Sequence, residues 1–124
     1  MDTIEYEIDR AFLNAYYKDL VNEVGEIFEL FLQETPLDVH EIKQHFLIGN
    51  YKEVAALMHK IAPCFYNVGL PTLTSKIRAI EVSVNEGKID FAKLEMQHFE
   101  EELNNFMPSI VKEHNRLVSI EHVA

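Results

Sequence analysis

His59 has the plainest opportunity for chemistry in this chain. It sits in the stretch Tyr51–Val68, whose large apolar groups Val54, Leu57, Ile61, Phe65 and Val68 recur every three or four residues. At about 100° per residue these fall within a sector roughly 80° wide, the buried stripe of an amphipathic helix. His59 then points about 160° from the centre of that stripe and faces water. Around it lie Ala55, Ala56, Ala62 and Pro63, none with a side chain long enough to cover an imidazole. An open imidazole on a smooth face is a nucleophile that a partner can reach.

Other residues offer less. Glu95-Met96-Gln97-His98 has the Glu-x-x-His spacing of di-iron bundles, which use it twice with further glutamates on other helices. Here it occurs once, and chance spacing in an acid-rich helix explains it. His40 and His45 do not share a helix face, and His114 and His122 straddle the chain's end, so no metal-ligand set emerges. Glu100-Glu101-Glu102 reads as a solvated face. Cys64, next to the apolar stripe, reads as a small core group. The chain has four glycines and neither a nucleophile elbow nor a glycine-rich phosphate loop, which argues against a stand-alone hydrolase or nucleotide-binding enzyme.

The elements that must position His59 are all helical in period. Alternation of apolar and polar residues never persists, so no sheet is expected. A short first helix covers about Asp9 to Tyr17, with Asp9 as its N-cap. A second spans about Asp19 to Glu34, with Leu20, Val24, Ile27, Phe28 and Phe31 on one face. Thr35-Pro36 reads as an N-cap followed by proline at the first helical position, opening a third helix that buries Leu37, Ile42 and Phe46 and ends at Gly49-Asn50. Asn50 and Glu53 have the spacing of a capping box for the His59 helix. Gly69 closes that helix, Pro71 opens the next, and Leu73, Ile77, Ile80 and Val84 line it until Gly87. The last element runs from about Asp90 to Leu117, with Leu94, Phe99, Leu103, Phe106, Ile110 and Leu117 as its apolar side, and Pro108 kinks or divides it. The reading is all-α: an antiparallel up-and-down four-helix bundle with a short extra N-terminal helix, in one domain over residues 1–124.

Composition narrows the function classes. With 21 acids against 11 bases the formal net charge is −10, a field that repels nucleic-acid backbones and anionic membrane surfaces. The eight Phe and five Tyr are therefore read as core rather than as stacking platforms for bases. A single cysteine excludes an internal disulfide and suits a reducing cytoplasm. No apolar run approaches the ~20 residues needed to cross a bilayer. Met1-Asp2-Thr3-Ile4-Glu5 lacks the regions of a signal peptide, and the beginning at Met1 suits a free-standing protein or an excised domain equally.

The segment Ala56-Leu57-Met58-His59-Lys60-Ile61-Ala62-Pro63-Cys64-Phe65-Tyr66-Asn67-Val68-Gly69 resembles the core of the histidine-containing phosphotransfer (HPt) domains of two-component phosphorelays. The likeness extends upstream to Phe31-Leu32-Gln33-Glu34-Thr35-Pro36 and Gly49-Asn50-Tyr51, and downstream to Ile80-Glu81 and Glu86-Gly87. The resemblance implies a phosphocarrier rather than an enzyme. His59 would accept a phosphoryl group from a receiver-domain aspartyl phosphate and pass it to another receiver, including receivers of hybrid histidine kinases. It implies no cofactor of the chain's own, with Mg²⁺ on the partner receiver only, and a monomer as the working form.

Two positions depart from the family pattern. Many members carry lysine three residues after the histidine, where this chain has Ala62; Lys52 and Lys60, with Lys43 behind them, are the substitute cations for phosphoryl or receiver contacts. Four residues after the histidine, where glycine is common, stands Pro63, which leaves the His59 carbonyl without its helical donor. The expected docking face comprises Lys52, Ala55, Ala56, Lys60, Ala62, Pro63 and Tyr66 around His59. The alternative reading is a non-catalytic helical adaptor that binds receivers without carrying phosphate.

Overall fold

Two uninterrupted stripes of heptad-like spacing decide the architecture. One comprises Val24, Phe28, Phe31, Thr35, Val39, Ile42 and Phe46; the other comprises Ala92, Met96, Phe99, Leu103, Ile110, Glu113 and Leu117, with half-buried Phe106 filling its gap. Each keeps a single phase across a proline, so each forms one long helix. In the computed structural model, which describes residues 6–17 and 21–123, the helices are α1 (Arg10–Tyr17), α2 (Val21–Leu47), α3 (Tyr51–Asn67), α4 (Pro71–Asn85) and α5 (Ile89–Val123). No strand occurs among the described residues, and no described helix is long and apolar enough to cross a membrane.

This corrects the sequence reading in four places. Thr35-Pro36 does not open a new helix: Pro36 is exposed inside α2, Thr35 is buried, and Leu37 is 70% exposed because the unbroken stripe selects positions 35 and 39 instead. The expected start at Asp19 and Leu20 lies outside the described residues. Pro108 does not divide α5, since it too stands on the exposed side, and the same phase leaves Leu94 exposed while Ala92 and Met96 turn inward. Asn50 makes no capping bond to α3; its amide sits 3.3 Å from His45 Nδ1 at the end of α2. Glu100 and Glu102 are half-buried and paired with Lys43 and Lys76, so this acidic run is not a purely solvated face.

Helix α2 packs against α3 and α5, and α4 likewise packs against α3 and α5. Phe65 of α3 occupies the middle of the core, with the Phe31 ring at 5.0 Å and the Phe99 ring at 5.4 Å. Burying each such ring contributes roughly 1.5–3 kcal/mol. The short α1 clips onto the turn between α3 and α4. Asp9 caps α1 as expected, accepting from the Phe12 N–H at 2.9 Å, while its own N–H donates to the Gly69 carbonyl at 2.9 Å. The Tyr17 hydroxyl donates to the Asn67 carbonyl at 2.7 Å.

Gly69 is the tightest point of that clip. Its φ is +79°, and a Cβ there would stand 3.0 Å from Leu13 Cγ, whereas a Cβ at Gly49 (φ +76°) would meet nothing within 4 Å. A side chain in the left-handed region costs about 1–2 kcal/mol, and overpacking adds about 1–3 kcal/mol. Gly69→Ala is therefore expected to lower the urea-unfolding free energy by roughly 2–5 kcal/mol, and Gly49→Ala by the smaller backbone cost alone.

Glu113 occupies a core position on α5 with only 3% exposure, and it is held by Arg116 from its own helix and by Arg10 Nη1 of α1 at 2.9 Å. Burial alone would raise its pKa, but the hydrogen bond from Arg116 and the charges of Arg10 and Arg116 outweigh it and hold the carboxyl below the ordinary glutamate range. Its contribution to stability is complete above the unfolded-state pKa and is lost as pH falls through the lowered native value. Glu113→Gln should therefore flatten the acid side of the stability–pH curve measured by chemical denaturation.

Candidate functional site

The buried stripe of α3 is broader than its large residues alone suggest. Val54, Ala55, Met58, Ile61, Ala62 and Phe65 are buried, and Leu57 is only half-buried. Counting the alanines and Met58 rotates the stripe's centre by about 60°, so His59 stands roughly 100° from it rather than opposite it. The consequence is chemical: His59 lies at the edge of α3 that adjoins α4, within reach of a partner there. Its side chain remains 73% exposed, and its Nδ1 lies 3.2 Å from Glu81 Oε2 of α4.

That contact fixes the ring. An ionised carboxylate can only accept, so the proton belongs on Nδ1 and the lone pair on Nε2. Nε2 makes no hydrogen bond to any described residue. The result is an oriented imidazole whose free nitrogen is the nucleophilic one, with a carboxylate behind it to balance positive charge gained by the ring.

The expected neighbours divide into three groups. Ala56 and Pro63 are exposed and flank the ring as anticipated, and α3 continues through Pro63 to Asn67. Ala55 and Ala62, expected on the open face, are buried at 7% and 0%; they keep the approach low but offer no contact surface. Tyr66, two turns beyond His59, is 40% exposed and packs edge-on against Phe12 at 4.6 Å and Tyr16 at 5.8 Å, so α1 extends this face with aromatic surface.

The cations are mostly committed elsewhere. Lys43 Nζ binds Glu100 at 3.0 Å, joining α2 to α5. Lys60 lies close enough to Asp38 of α2 to lower its pKa, against the stronger raising effect of burial, which places Lys60 on the α2 side of α3. Lys52 is exposed on the His59 side but two turns away, about 10 Å along the axis.

Cys64 corrects another expectation, being an exposed residue rather than a core group. Partial burial of the thiol, with Asp38 and Glu34 nearby, pushes its pKa up, so it is a poor nucleophile. Glu95 accepts from Ser83 Oγ at 2.8 Å and not from His98, and no group of three or more His, Cys, Asp or Glu that could hold a metal forms among the described residues.

Glu81 is the partner of His59 that the sequence reading passed over. It was visible within the resemblance, but only as part of a matching segment. A stronger signal was available: His59 and Glu81 are equally distant along the chain from Leu70, where α3 turns into α4. No protein-family model matches this chain, and neither a curated protein nor a solved structure is significantly similar to it.

Replacing Glu81 tests the orientation directly. In wild-type protein the neutral His59 ring should show the Nδ1–H tautomer by ¹⁵N chemical shifts, and Glu81→Ala should move the population toward Nε2–H. A tautomer distribution unchanged by Glu81→Ala would show that the contact does not orient the ring.

Proposed function

We propose that this chain is a histidine phosphocarrier of the HPt type, working as a monomeric, antiparallel up-and-down bundle between receiver domains. The observation that carries the reading is the His59–Glu81 pair: an imidazole 73% exposed, with Nδ1 held by a carboxylate and Nε2 open to solvent. The bundle arrangement is supported by the three-residue connections after α2, α3 and α4 and by the pairing of each long helix with two others.

In the transfer, Nε2 attacks the phosphorus of a receiver's aspartyl phosphate in line. The N–P bond forms as the acyl O–P bond breaks, and the aspartate leaves as a carboxylate on the receiver. The Nδ1 proton stays in place, so the ring takes on positive charge as Nε2 gives up its lone pair, and Glu81 stabilises that charge. A hydrogen bond to a charged group is worth about 1.5–3 kcal/mol, or roughly 10- to 100-fold in rate where it strengthens in the transition state. The receiver brings Mg²⁺ and its own cations, so the carrier needs little beyond an oriented nucleophile and an unobstructed approach. Ala56 and Pro63 supply the latter, and exposed Tyr66 with its α1 neighbours offers apolar contact area for a weak, rapidly exchanging complex.

Incubation with a receiver domain phosphorylated on aspartate should transfer an acid-labile, base-stable phosphate to the chain, and His59→Gln should abolish it. Binding without any phosphate uptake would instead establish the adaptor reading, and a modified residue other than His59 in peptide mass spectrometry would overturn the assignment.

A further inference from the structure

A phosphoryl group on His59 Nε2 poses a charge problem, because it adds negative charge only the width of the ring away from the Glu81 carboxylate on Nδ1. Like charges at that range repel strongly unless a cation stands between or beside them. The cations of α3 do not meet this need: Lys60 lies on the α2 side, near enough to Asp38 to feel its charge, and Lys52 is two turns back. Lys43 and Lys76 are occupied by Glu100 and Glu102, and Arg10 and Arg116 by Glu113.

We propose that Arg78 of α4 is the cation that grips the phosphoryl group on His59. The proposal rests on the phosphocarrier reading and adds the residue that neutralises its cargo. The His59–Glu81 contact sets the register of α3 against α4. Three residues from Glu81 toward the start of α4, about 4.5 Å along the axis, stands Arg78, turned about 60° further out from that helix's buried stripe. With the two helices running in opposite directions from their shared turn, this position is level with residues 60–62 of α3. Exposed Pro63 and buried Ala62 leave no long side chain in the way. Arg78 is itself exposed and forms no ion pair with any described residue. A guanidinium offers paired N–H donors in the geometry that phosphoryl oxygens accept, on a stem long enough to cross the seam.

The test phosphorylates the protein chemically with phosphoramidate, whose phosphoryl group passes to the imidazole nitrogen as ammonia leaves, so no receiver is required. The ³¹P resonance of phosphorylated His59 is identified by its absence in His59→Gln. The wild-type resonance should titrate at lower pH than that of Arg78→Ala, because the guanidinium favours the dianion. With a phosphorylated receiver at saturating concentration, Arg78→Ala should slow transfer about 10- to 100-fold at an unchanged thermal midpoint, and Arg78→Lys should recover part of the loss. An Arg78→Ala resonance that titrates as wild type does would overturn the proposal. Failure of every receiver to phosphorylate wild-type protein would sink the phosphocarrier reading instead, and the ³¹P titration would still decide for or against the grip.

Discussion

The hydrogen bond between His59 and Glu81 depends on everything beneath it. On an exposed surface such a bond contributes about 1 kcal/mol and would not by itself hold two helices in register. The register comes from the core: α3 packs against α4, and Met58 of the one and Ile77 and Ile80 of the other are wholly buried. A rigid seam places a carboxylate at hydrogen-bonding distance from one ring nitrogen and leaves the other free. Orientation is thus a product of core packing, and the polar contact converts it into a choice of tautomer.

The same logic sorts the charges of an acid-rich chain. Its bases are distributed by seam: Lys43 with Glu100 between α2 and α5, Lys76 with Glu102 between α4 and α5, Lys60 near Asp38 between α2 and α3. Exposed pairs of this kind add little stability, commonly under about 1 kcal/mol each. Their effect is on the field: they neutralise acids along three seams and leave the α3–α4 seam with a histidine, a carboxylate and Arg78, which pairs with no described residue. A reactive group gains from such sparseness, because no nearby lysine competes for the Glu81 carboxylate.

Much of this was legible in the sequence, and the failures have specific causes. The helices around Gly49, Gly69 and Gly87 could be read because those turns coincide with breaks in apolar periodicity. Thr35-Pro36 misled because a strong local start signal was weighed above a stripe that passes through it without changing phase. Asn50-Glu53 misled in a similar way: the spacing fits a cap, but the Asn50 amide lies against His45. At the site, His59 was correctly placed in water while its direction was off by about 60°, because Ala55, Met58 and Ala62 were not counted as core. That error hid Glu81, since a histidine pointing straight out has no neighbour on α4.

Helix α1 has a consequence for the range of pH in which the bundle keeps its shape. Tyr17, whose hydroxyl clips α1 to the end of α3, has its pKa raised to about 12 by burial and by neighbouring Tyr16. The phenol's contribution is intact below the ordinary tyrosine pKa and is lost progressively as pH rises from there through the raised value. A nitrogen-bound phosphate survives in base and decays in acid. For the proposed phosphocarrier, the clasp at the foot of the His59 helix therefore holds under the mildly alkaline conditions in which such a phosphate lasts longest.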